Sequence, residues 1–207
     1  MAHTLDLGIR IELLPMDEIF HDISLGLYQQ ERAGRAAYLA HSYSSIAGAR
    51  ERVDFVKRAM TTLGGLEEIE GGLVGFSCDN GHPKASRRLF LEAAKLEEGV
   101  DALVTHPLTT HDRKSDRNVE LISAGNGKYR LEIDGEDDAK KEKRRKQLLK
   151  ALVKIGALEV EGSVLALPCG NSHDALMGLL LRKAVSMRAS MADDESRGFL
   201  AAPSQQK

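Results

Sequence analysis

Both cysteines of the chain sit in the same short setting, Cys78-Asp79-Asn80-Gly81-His82 and Cys169-Gly170-Asn171-Ser172-His173. Cys-x-Asn-x-His therefore occurs twice, 91 positions apart, in a sequence with only two cysteines and seven histidines among 207 residues. A thiol and an imidazole four positions apart are a donor pair for a borderline-soft metal, and equally a nucleophile beside a base. Two such pairs facing each other would present Cys78, His82, Cys169 and His173 as a Cys2His2 set suited to tetrahedral zinc. The spacing is not that of a zinc finger and no Cys-x-x-Cys occurs, so the reading rests on ligand types.

Other chemistries use the same residues. In a thiolate enzyme Cys78 or Cys169 would attack, His82 or His173 would act as base, and Asn80 or Asn171 would orient the base or donate to an oxyanion. The doubling weighs against this, because one active site needs one set. Iron is the second metal candidate, including haem with Cys or His as axial ligand. Two opposed cysteines can also form a redox disulfide, provided their Cα atoms come within about 7 Å. A metal-free structural or interaction module would use the cysteines as small buried residues and the asparagines as helix caps.

The elements around the motifs repeat as well. With one residue deleted, Leu63 to Cys78 aligns with Ile155 to Cys169, so that Gly64, Leu66, Glu67, Glu70 and Gly71 match Gly156, Leu158, Glu159, Glu161 and Gly162. Upstream, Val56, Met60 and Leu63 fall on Leu148, Leu152 and Ile155, apolar at helical spacing, with Gly64 and Gly156 as stop signals. Gly72 to Phe76 and Ser163 to Leu167 read as short buried strands. After each motif Ala85, Leu89 and Ala93 align with Leu176, Leu180 and Ala184 as a second helix. The motif thus falls at a strand-to-helix turn. Asparagine at such a turn predicts an N-cap by Asn80 and Asn171, holding the turns around whatever is bound. A helix N-terminus there favours thiolate and neutral imidazole, the forms a metal requires.

Earlier in each unit, Val119 to Ile122 and Tyr129 to Ile133 flank Ala124-Gly125-Asn126-Gly127, a hairpin signal; the matching strands are Leu25 to Gln29 and Ala37 to Tyr43. The predicted class is α+β, a tandem duplication of a β-β-α-β-α unit with pseudo-twofold symmetry. The domain plan is an N-terminal strand (Ile9 to Leu14) plus the first repeat over 1–97, a connector at 98–114, the second repeat at 115–188 and a disordered tail at 189–207.

A net charge of −2 gives no whole-chain case for nucleic acid, and the basic run Lys140 to Lys146 reads as a solvated helix face. No stretch approaches the roughly eighteen apolar residues that would cross a bilayer, and the first residues lack the pattern of a secretory leader, so a cytoplasmic setting is expected. Two cysteines cannot form a disulfide framework. His106, His111, Asp112 and Asp116 read as a polar loop, His21 and Asp22 as residues before the first hairpin, and Tyr38, His41 and Tyr43 as residues of its second strand. The expected partner is a metal ion or small molecule; neither a membrane nor nucleic acid is expected.

Overall fold

Side-chain alternation builds the strands and three- and four-residue spacing builds the helices. The computed structural model describes residues 4–13, 23–32, 35–42, 47–69, 71–78, 80–96, 107–156 and 159–187. The first half runs β1 (Thr4–Leu13), β2 (Ile23–Arg32), β3 (Arg35–Ser42), α1 (Ala49–Gly64), β4 (Glu67–Ile69), β5 (Leu73–Gly75) and α2 (Pro83–Ala94). The second runs β6 (Thr109–Asp112), β7 (Arg117–Ser123), β8 (Lys128–Ile133), α3 (Ala139–Gly156), β9 (Glu159–Glu161), β10 (Val164–Ala166) and α4 (Asp174–Ser186). Each half forms a five-stranded antiparallel sheet, in the orders β1-β2-β3-β5-β4 and β6-β7-β8-β10-β9.

The hairpins form where the sequence predicts them. The turn between β7 and β8 closes through the Lys128 amide on the Gly125 carbonyl, with Asn126 and Gly127 both at positive φ (51° and 65°) as a primed turn requires. The first hairpin pairs Arg32 with Arg35 and continues to Leu25 against Ser42. In α1 the stripe of Val56, Met60 and Leu63 is buried, and Gly65, at φ 65°, ends the helix one residue after the predicted stop. Helix α4 is apolar on most of its circumference and is correspondingly buried at Leu176, Met177, Leu179, Leu180, Leu181, Ala184 and Val185. It packs on both α1 and α3, while α2 packs on α1 and α3. The buried side chains of both halves therefore form one continuous cluster.

The predicted plan lacks three of the strands, β4, β6 and β9. Strands β4 and β9 are three residues long and rich in glutamate, and each lies at a sheet edge, where charged residues give no apolar signature. Strand β6 lies inside the segment read as connector. Its sequence, TTHD, buries only Asp112, and that burial is made tolerable by ion pairing rather than by apolarity. Strand β1 begins five residues before the predicted Ile9.

The basic run on α3 is engaged within its own half: Lys141 meets Asp137 at 2.9 Å, Arg145 meets Glu142 at 2.8 Å and Arg144 meets Asp112 at 2.7 Å. His111, on β6, lies 3.3 Å from Asp116. His41 is exposed and edge-on to Tyr28 at 6.1 Å. His21, Asp22, Tyr43, His106, Leu14 and the tail from 189 lie outside the described residues. No helix among the described residues is long and apolar enough to cross a membrane.

Candidate metal centre

Each motif leaves the strand next to its hairpin, β5 or β10, and turns into the helix that closes its half. The two turns meet. The sulfurs of Cys78 and Cys169 and one ring nitrogen each of His82 and His173 all lie within 4.8 Å of one another. Within the first motif Cys78 Sγ is 3.2 Å from His82 Nε2; within the second, Cys169 Sγ is 3.3 Å from His173 Nε2. A tetrahedral zinc with bonds of about 2.3 Å to sulfur and about 2.0–2.1 Å to nitrogen has donor-to-donor edges of about 3.3–3.8 Å. The edges within each motif are already close to that size, so enclosing an ion requires only a small approach of the two motifs. The donor set fits the metal in type and number, and in spacing after that approach.

The surroundings are dry and aromatic. His82 and His173 are each 6% exposed and Cys78 4% exposed, while Cys169 is half-buried. Phe76 packs edge-on to both imidazoles, with centroids 5.3 Å from His82 and 5.0 Å from His173, and the imidazoles pack on each other at 4.9 Å. The Phe76 carbonyl accepts from the Arg35 guanidinium, which also pairs with Glu67. One aromatic side chain from the first half thus sets both histidines.

The asparagines act differently from expectation. Neither caps its helix: the N-cap positions are His82 and His173, without side-chain cap bonds, because each helix starts two residues later than predicted. What Asn80 and Asn171 contribute is backbone. The Cys78 thiol donates to the Asn80 carbonyl at 3.3 Å, the Cys169 thiol donates to the Asn171 carbonyl at 3.5 Å, and the Asn171 amide donates to Cys169 Sγ at 3.3 Å. Each motif is a tight loop folded around its own sulfur.

The electrostatics follow burial. The His82 imidazole is lowered to about 4 by desolvation and by the facing His173, and His173 is lowered by desolvation against the opposing pull of Asp174. Both are therefore neutral at physiological pH, the state a metal needs. The Cys78 thiol, expected to be acidified by the helix, is instead pushed up to about 11, chiefly by burial, with the Cys169 sulfur adding to the rise. Desolvation outweighs the helix terminus here. Cys78 keeps its proton, and a metal bound here would have to displace it.

Two tyrosines that the sequence places only as strand residues form the next layer. Tyr129, on β8, accepts the His173 amide at 2.7 Å and donates to Asp174 at 2.8 Å. Tyr38, on β3, lies in the corresponding place of the first half, fully buried, and its hydroxyl has no partner among the described residues in hydrogen-bonding geometry. A signal for them exists in the sequence: the tyrosines are 91 positions apart, the same offset as the cysteines. A third matched pair joins them, since Arg52 donates to the Ala94 carbonyl at 2.7 Å and Arg144 to the Val185 carbonyl at 3.5 Å.

Fold and site define a mixed α+β protein that has, among the described residues, two antiparallel sheets and four helices, with a Cys2His2 cluster between its halves. No protein-family model, curated protein or solved structure matches the chain.

Proposed function

We propose that the chain is a metal-binding protein in which Cys78, His82, Cys169 and His173 hold one zinc ion that joins its two halves. The observation that carries the reading is the meeting of four donors of the right types within 4.8 Å, two from each half, in a buried setting. With all four positions filled by protein, the ion would be structural: it would leave no open site for water or substrate, and its binding energy would add to folding. The shared strand order, the paired motifs, and the matched Tyr38 and Tyr129, Arg52 and Arg144 support descent of the halves from one duplicated unit arranged about a pseudo-twofold axis. A reducing compartment such as the cytoplasm suits two free thiols. Haem fits less well, because Phe76 fills the space against both imidazoles that a macrocycle would need.

The test is elemental analysis of protein expressed with added zinc. One zinc per chain is expected, falling together with thermal stability on chelation. A content below about 0.2 per chain would overturn the reading.

One observation favours a second reading. Cys169 is partly exposed and lies 3.3 Å from His173, the arrangement of a thiol nucleophile and its base. Thiol labelling of metal-free protein near pH 6 separates the two: an activated thiolate reacts rapidly, an ordinary thiol of pKa about 8.5 slowly.

A further inference from the structure

The two sulfurs differ in access. Cys78 is 4% exposed and lies against His82 at 3.2 Å, whereas Cys169 is partly exposed. Both are free thiols, and their sulfurs lie within 4.8 Å. A disulfide bond is about 2.05 Å long, so closing it moves each sulfur by at most about 1.4 Å toward the other. The Asn171 amide points at Cys169 Sγ from 3.3 Å, a donor that favours charge developing on that sulfur.

We propose that Cys169 and Cys78 are a peroxide-responsive pair, Cys169 reacting first and Cys78 resolving it to an intramolecular disulfide. The Cys169 sulfur attacks one oxygen of hydrogen peroxide and the O–O bond breaks, giving a sulfenic acid on Cys169 and one water. The Cys78 sulfur then attacks the Cys169 sulfur, the S–O bond breaks and its oxygen leaves as a second water, taking up the Cys78 proton. Two sulfurs together lose two electrons and the peroxide gains them. The disulfide rests on geometry alone. Its consequence rests on the zinc reading: with both thiolates gone only His82 and His173 remain as ligands, and the ion is released.

The experiment treats metal-loaded and metal-free full-length protein with hydrogen peroxide, maps the cysteines by mass spectrometry, and follows zinc with a chromogenic chelator. A peptide linking Cys78 to Cys169 is expected in both samples, reversible by dithiothreitol, with one zinc released per disulfide in the loaded one. In Cys169→Ser, oxidation of Cys78 should slow by about tenfold or more, because its sulfur is shielded. Accumulation of sulfinic acid on Cys169 beside a reduced Cys78, or disulfides between chains only, would overturn the proposal. If the protein proves to hold no zinc, the linked peptide still decides the thiol chemistry, so the two readings fail separately.

Discussion

In the first motif His82 takes the left-handed conformation, φ 43°, and is followed by Pro83; in the second His173 has φ −130° and is followed by Asp174. A left-handed conformation costs a residue with a side chain about 1 kcal/mol or more, so the first histidine is held where it is by its surroundings. Those surroundings are close packing: Phe76, the buried Tyr38 and the space beside Gly81. The second histidine shares the Phe76 contact, at 5.0 Å, and is held in addition by hydrogen bonds, through its amide to Tyr129 and from Tyr129 to Asp174. The same donor types thus share one aromatic contact, to which the second side adds polar bonds that the first replaces by closer packing. Exposure follows the same division, since Cys78 is buried and Cys169 meets solvent.

The second half extends its polar strategy away from the Cys2His2 cluster. Asp112 is fully buried and receives Arg144 at 2.7 and 3.0 Å, Ser115 Oγ at 2.7 Å and the Lys114 amide at 3.1 Å. Burial alone would raise this carboxyl, but the Arg144, Ser115 and Lys114 bonds outweigh it and hold the group below the ordinary carboxylate range. Asp112→Ala should be strongly destabilising, by about 3–5 kcal/mol, because it leaves a guanidinium uncompensated. Asp112→Ala combined with Arg144→Met should recover much of that loss. Because the folded group is the stronger acid, its contribution is complete well above the unfolded value of about 3.9 and fades as pH falls through the lower folded value. Urea midpoints of wild type and Asp112→Ala should therefore differ widely at pH 7 and converge in acid. Equal midpoints at pH 7 would mean that the buried pair does not hold this half together.

The next contrast is between Gly81 and Ser172, which hold the same motif position. A Cβ on Gly81 would stand 2.9 Å from Ala36 Cβ, Gln29 Nε2 and the Tyr38 hydroxyl. Gly81→Ala should destabilise by about 1–3 kcal/mol through overpacking. Ser172 is exposed, its hydroxyl close to the Tyr129 oxygen, and Ser172→Ala should cost less than about 1 kcal/mol. Thermal denaturation of the two variants side by side is the check; a tolerated Gly81→Ala would mean that packing does not set the first turn.

The donor set and the helix stripes could be read from the sequence because each is local: identical residue types at identical spacing, and apolar side chains at three and four. The hairpins could be read because Asn126-Gly127 has one favoured turn. The rest depended on contacts between distant segments. Asp112 looks like a loop residue until Arg144, 32 positions away, is seen to reach it. Asn80 and Asn171 have the right chemistry for caps, but each loop needs two further residues to wrap its sulfur, which moves the helix start to the histidine. Tyr38 and Tyr129 read as strand residues because alternation reveals burial but not what the hydroxyl meets.

Those tyrosines give the smallest and sharpest comparison. Removing the Tyr129 hydroxyl leaves the buried His173 amide and the Asp174 carboxylate without that partner, and a buried donor stripped of its bond costs about 1–3 kcal/mol. Removing the Tyr38 hydroxyl deletes a buried oxygen without a partner among the described residues, beside a Ser86 hydroxyl that already donates to the Gly81 carbonyl at 3.0 Å. Tyr38→Phe should therefore be neutral or slightly stabilising, while Tyr129→Phe should lower the unfolding midpoint. Tyr129→Phe should also weaken zinc retention in a chelator competition by loosening His173, whereas Tyr38→Phe should leave it unchanged. Equal losses from the two variants would mean that both motifs are held alike, and the division between packed and hydrogen-bonded support would have to be given up.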